Sequence, residues 1–188
     1  MTGSNNVGIY TSNGGTIKNT ADIAGSAGQA NMGFYNEAGS INNTGHISVG
    51  DSIITDSTKN SYAIGIYGDR SAEENHGNIA IGANGVGIYT KKTPITAPTK
   101  NCGNISSNSN GAIGLFAEHS NLENYGDITL GWKSSIGIYG KDSTITNTGN
   151  VKTGQDGIAF AGDNSTININ GGNIDVSSGS LVYGKIKG

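Results

Sequence analysis

The side chains able to do chemistry are few and scattered. Histidine occurs at His46, His76 and His119, and cysteine only at Cys102. A transition-metal site needs such ligands at short, recurring spacings, and these residues share none. A lone cysteine closes no internal disulfide, and with no histidine arranged to activate it Cys102 reads as a tolerated thiol. Paired carboxylates across a groove could cleave a glycosidic bond. Asp22, Asp127 and Asp163 come nearest to such a row, but they are interspersed with Asn. No glycine-rich phosphate loop opens a helix, and no run of Asp ligands for calcium occurs. The expectation is therefore no catalytic residue, no metal site and no cofactor. A net charge of −3 argues against a nucleic-acid groove, which needs clustered Lys and Arg. No window is long and apolar enough for a membrane-spanning helix.

What must position any functional side chain is a repeat. Of 188 residues only 34% are hydrophobic and 13% charged, with 32 glycines. Ordinary domains sit near about 45–50% apolar and about 25% charged. Few apolar residues placed with strict periodicity suit a thin core repeated many times. One motif is apolar-Gly-apolar-aromatic, as in Ile64-Gly65-Ile66-Tyr67 and Ile136-Gly137-Ile138-Tyr139. The other is Asn-x-Gly-polar-Ile, as in Asn101-Cys102-Gly103-Asn104-Ile105 and Asn147-Thr148-Gly149-Asn150-Val151. The Asn positions are 19, 43, 75, 101, 124, 147 and 170, separated by 24, 32, 26, 23, 23 and 23 residues. The base period is 23, and the longer gaps are insertions between motifs.

Each repeat holds three short runs of period-two alternation, the signature of half-buried strand. Gly, Asn, Ser and Thr between them leave no support for helix. Three strands per repeat predict an all-β fold, a single-stranded parallel β-helix of about seven coils, as one repeat segment spanning residues 1–188. At about 4.8 Å per coil the rod is roughly 35 Å long. The motif Asn residues (Asn19, Asn43, Asn75, Asn101, Asn124, Asn147 and Asn170) should point inward and hydrogen-bond along a column. The motif glycine should turn the corner in a left-handed conformation. The polar residue after it, Asp22, His46, Asn78, Asn104, Asp127, Asn150 or Asn173, is turn chemistry. With Ile136 and Ile138 inward, Gly137 and Tyr139 should face out. That places Tyr10, Tyr35, Tyr67, Tyr89, Phe116, Tyr139, Phe160 and Tyr183 in one aromatic lane, stacked on itself or offered to sugar rings or a partner.

The departures from the pattern mark where binding should be sought, since loops on a rigid scaffold carry function. The longest insertion runs from Asp51 to Tyr62, with Asp51, Asp56 and Tyr62 as weak ligand-binding candidates. A second, near residues 91–100, is bracketed by Pro94 and Pro98 and offers Lys91 and Lys92. Glu73 falls at an inward place and could not be buried unpaired, so its strand should be broken or flared. Ile167-Asn168-Ile169-Asn170 suggests a register shift and a bulge.

Gly-Ile-Tyr followed by Ile-x-Asn-x-Gly-Asn-Ile resembles the passenger domains of large fusobacterial-type autotransporter adhesins, over essentially the whole chain. That resemblance implies a right-handed β-helix exported to the outer-membrane surface of a Gram-negative cell. It implies no enzymatic activity and a role in attachment, through a protein or glycan receptor on host cells or other bacteria. The chain carries neither export signal nor C-terminal barrel, and it begins and ends inside the repeat, so a segment of a longer rod is expected. The alternative is a polysaccharide-degrading β-helix enzyme, which requires a carboxylate cluster in a groove.

Overall fold

A computed structural model describes residues 1–54, 61–94 and 96–186, with side chains described through residue 184. The described chain is all strand and turn, wound as a parallel β-solenoid of about seven turns. Each turn contributes one strand to each of three faces. In the sixth turn these are Ile136–Lys141, Thr144–Asn147 and Val151–Thr153. Strands between the two ends pair in parallel with their equivalents one turn above and below. The strands are short because the alternation lasts only a few residues before Gly or a polar corner interrupts it.

The core is a stack of apolar columns. On the first face Ile9, Phe34, Ile66, Ile88, Leu115, Ile138 and Phe160 are in register. On the third face Ile23, Ile47, Ile79, Ile105, Ile128, Val151 and Ile174 line up. Phe160 is therefore inward and fully buried, with Ala161 in register with Tyr139. It does not belong to the aromatic lane.

Both motif glycines serve close approach. A Cβ on Gly137 would meet the Val151 side chain and the Ala159 carbonyl oxygen, each at 2.6 Å. Gly137 thus faces the core, not solvent as the alternation suggested, and lets the first face pack on the third. A Cβ on Gly149 would lie 2.0 Å from the Gly126 carbonyl oxygen. The corner glycines from Gly45 to Gly149 are required by the turn beneath them, not by a left-handed backbone, which only Gly172 (φ 80°) of the motif glycines adopts. Left-handed conformations occur instead after the first-face strands, at Arg70 (φ 54°), Lys92 (53°), His119 (49°) and Asp142 (48°). Such non-glycine residues cost roughly 1–2 kcal/mol each. They persist because their N–H groups donate to the next turn, as Lys92 does to the Glu118 carbonyl at 2.9 Å.

The strand bearing Glu73, Ala72–Asn75, is continuous rather than broken. Glu73 occupies an inward place one turn from Ile41 and is 1% exposed.

Candidate binding surface

The Asn column forms a continuous internal ladder from Asn19 to Asn147. Asn124 Nδ2 donates to Asn147 Oδ1 at 2.7 Å and to the Gly126 carbonyl at 2.9 Å. The same pair of bonds recurs at Asn19, Asn43, Asn75 and Asn101. Asn170 is not part of it. Ile169 is in register with Asn147, and one extra residue before Gly172 leaves Asn170 exposed at the corner. The shift suggested by Ile167–Asn170 thus lies in the corner, and Ile167 stays paired with Ile145.

The polar corner residues form an outer ladder. Asn104 Oδ1 accepts from Asp127 N–H at 3.1 Å, and Asp127 Oδ1 from Asn150 N–H at 3.1 Å. Asp22 plays the same part toward His46 N–H at 2.9 Å. These carboxylates are structural acceptors. Asp163 lies elsewhere, at the end of a first-face strand, in register with Lys141.

A further ladder went unread in the sequence. Ser120 and Ser143, each four residues after an aromatic, donate to the carbonyl two residues back and accept the N–H of the residue one turn below. The signal is a Ser or Thr at fixed offset: Ser71, Thr93, Ser120, Ser143 and Ser165.

The outer aromatic lane runs from Tyr10 to Tyr139, with ring centroids 4.5–5.3 Å apart. Tyr89 and Phe116 are nearly parallel at 4°. Tyr35 and Tyr67 also stack, at 27°, whereas Tyr67–Tyr89 and Phe116–Tyr139 meet edge to face at 87° and 80°, and rings this close leave one another little open face. The interior of the lane therefore offers edges and hydroxyls, not open faces for sugar rings. Beside it runs a charged row, with Lys91, Glu118 and Lys141 in register. Glu118 lies 3.7 Å from Lys91 Nζ and 3.4 Å from Lys141 Nζ, and accepts the Tyr89 hydroxyl at 2.6 Å. The Tyr89 bond, aided by Lys141 and Lys91, holds the Glu118 carboxyl below its ordinary pKa. Burial, with Asp69 nearby, pushes the Tyr67 phenol up to about 12.

The predicted ligand residues do not converge. Asp51 Oδ1 accepts the Ala83 N–H at 2.6 Å, so its carboxylate ties the insertion to the next turn. Ser52 is buried and bonds to Ala63 N–H and the Asn84 carbonyl. Tyr62 is half-buried on the return. Asp56 lies outside the described residues. Lys91 belongs to a strand and pairs with Glu118, and exposed Lys92 occupies the left-handed corner. Tyr62 and Lys91 sit at opposite ends of the first face, about 20 Å apart at strand rise.

The histidines are turn residues: His76 Nε2 lies 3.1 Å from Glu74 Oε1, and His119 Nδ1 3.7 Å from Asp142 Oδ2. Among the described residues no group of three His, Cys, Asp or Glu could hold a metal ion. Cys102 is exposed as a residue, and partial desolvation of its thiol, with Glu74 nearby, raises the thiol pKa, which disfavours the nucleophilic thiolate.

Among the concavities of the described residues, two bear on contact. A shallow groove of about 390 Å³ lies on the outside of the second face. Ser40, Asn42, Glu74 and Lys100 line it, and Thr96, Ala97 and Pro98 of the second insertion wall it. A depression of about 290 Å³ surrounds Trp132 with Lys133 and Gln155. Trp132 is 58% exposed. It is the chain's single tryptophan, a signal available in the sequence and passed over there. Comparison with protein-family models, with curated proteins and with solved structures found no match.

Proposed function

We propose that this chain is a non-enzymatic rod segment of a surface-displayed autotransporter passenger, serving attachment to host cells or other bacteria through a protein or glycan receptor. The observation that carries the reading is the division of labour along the solenoid. Three hydrogen-bonded ladders hold the turns in register, while both insertions, one of them walling the second-face groove, fall between Val49 and Asn101. A rigid scaffold with local loops is the arrangement expected of a presenting stalk. The carboxylates of the groove support it further. Glu74 lies on the outer face, whereas Glu73 faces the interior, so the two point to opposite sides of one sheet. A polysaccharide-cleaving pair would need both in the same cleft.

The test is a glycan, receptor and cell-binding screen of the whole chain beside two variants. One joins Ser52 to Ser61 by a short linker, keeping both buried anchors. The other shortens the loop carrying Thr96, Ala97 and Pro98. Binding by the parent that either variant loses, at unchanged Tm, is the expected result. A parent that binds none of these removes the adhesive role and leaves a spacer.

A further inference from the structure

Glu73 stands where the column otherwise holds Ile41, Leu122 and Ile145. Its carboxylate accepts from Ser71 Oγ, from Asn36 Nδ2 at 3.1 Å and from Thr99 Oγ1 at 2.7 Å. Thr99 Oγ1 lies 2.8 Å from Thr90 Oγ1, which in turn lies 2.5 Å from Thr93 Oγ1. Room for the carboxylate is made by Gly68, whose Cβ would fall 2.0 Å from Glu73 Oε1.

Every group facing Glu73 is uncharged: Asn36, Ile41 and Gly68 from neighbouring strands, Ser71 from the turn, and Thr90, Thr93 and Thr99 from the turn above. The charged residues of these strands, Asp69, Glu74, Lys91 and Lys100, alternate to the outside. Arg70 and Lys92 stand at exposed corners. A carboxylate this buried without a cation is costly, and burial raises its pKa against the pull of the four hydroxyl and amide partners. Hydroxyls can serve a neutral carboxyl equally well, because each can donate or accept.

The network has a second property. Thr93 and Thr99 are the two roots of the insertion that walls the groove, and both belong to the chain of hydroxyls ending on Glu73. Thr93 N–H is also fixed to Ser120 Oγ at 3.1 Å. We propose that Glu73 holds a proton in the folded rod at neutral pH, and that this proton seats the loop carrying Thr96, Ala97 and Pro98. Ionisation forces the hydroxyls to donate toward one charge and loosens both roots together. The sign follows from linkage: the stabilisation is complete at acid pH and is lost as pH rises through the folded pKa.

The experiment is a titration of the full chain labelled at the glutamate carboxyl carbon. Glu73 is expected to titrate well above Glu37, Glu74, Glu118 and Glu123. Amide exchange, corrected for intrinsic rates, is then compared on the acid and alkaline sides of the Glu73 titration midpoint. Protection at Thr93 and Ala97 should fall several-fold while Ile138 and Ile145 hold. E73Q, which keeps a neutral group in place, should abolish that fall. A Glu73 carbon that titrates with the exposed glutamates overturns the proposal. So does loop protection that ignores pH, or that keeps its pH dependence in E73Q. Should E73Q fail to fold, the wild-type titration and exchange decide alone.

Discussion

Turns five and six, residues 113–153, and turns three and four, residues 64–107, are built on the same plan and solve different problems. In the first region the second-face column carries Leu122 and Ile145, fully apolar and buried. In the second the same column carries Glu73 and Thr99, equally buried. The regular turns gain stability from burial and from ladders that each turn needs only its neighbours to complete. The irregular turns put a carboxyl in the core and offset its cost with a network drawn from three successive turns. A solenoid can therefore host a polar interior wherever adjacent turns supply the partners. The price is coupling between the network and the loop rooted in it.

The sharpest way to break the comparison is at the corner glycines, which both regions share. Gly149→Ala places a Cβ 2.0 Å from a backbone carbonyl that cannot swing aside. Overpacking against backbone should cost about 3 kcal/mol or more, and denaturant unfolding should show it. Gly131→Ala is the control, since its Cβ would meet nothing closer than 3.6 Å. Equal loss at both positions would mean that chain entropy, not stacking, governs the glycines.

Next in size is the ladder. Asn124→Ala removes three bonds and leaves one N–H of the buried Asn101 amide without its acceptor, a loss of about 1–3 kcal/mol. Asn170→Ala, at the exposed corner, should stay within about 0.5 kcal/mol. Similar Tm changes in the two variants would contradict the assigned end of the ladder.

The uneven legibility of the chain has a physical cause. Period and strand content were legible because alternation and the Asn spacing are local patterns. The corner glycines were legible in place but not in reason, since a clash with the turn beneath is a contact between residues about 23 apart. Phe160 was misplaced because an aromatic in the second apolar place of the motif looks like one in the aromatic place, and Asn170 because one residue of slack at the corner changes which neighbour lies in register. Glu73 was read as a break because its partners, Asn36 and Thr99, are remote in sequence and individually ordinary. The candidate ligand residues fared worst. Asp51 and Lys91 are polar residues used by the scaffold, and charge at a loop root does not tell anchoring from contact.

The two regions should also differ in their response to pH, with opposite signs. Glu118, outside the core, is held below its ordinary pKa first by the Tyr89 hydroxyl and then by Lys141 and Lys91. A carboxyl depressed on folding contributes stability above its unfolded pKa of about 4.3 and loses it as pH falls through the folded value. Glu73 contributes in the other direction, losing stability as pH rises. Tm measured across the acid range should therefore fall less steeply in Glu118→Gln than in the parent. An acid limb identical in both proteins would show that the row adds nothing to folding.

The smallest effect expected is at Lys141. Its ammonium reaches Glu118 at 3.4 Å, but its side chain is 43% exposed and water screens the pair. Lys91 remains on the other side of Glu118 when Lys141 is removed. Lys141→Ala should cost less than about 0.5 kcal/mol in physiological salt, with the difference shrinking further at high salt. Removing Lys91 as well should cost more than the sum of the two single changes, because the first deletion leaves Glu118 one cation and the second leaves it none, with only the Tyr89 hydroxyl still donating to it. Strict additivity in that cycle would mean that the row is a set of independent surface pairs. In that case the regular region owes its register to the Asn and Ser ladders and the corner glycines, with no electrostatic share.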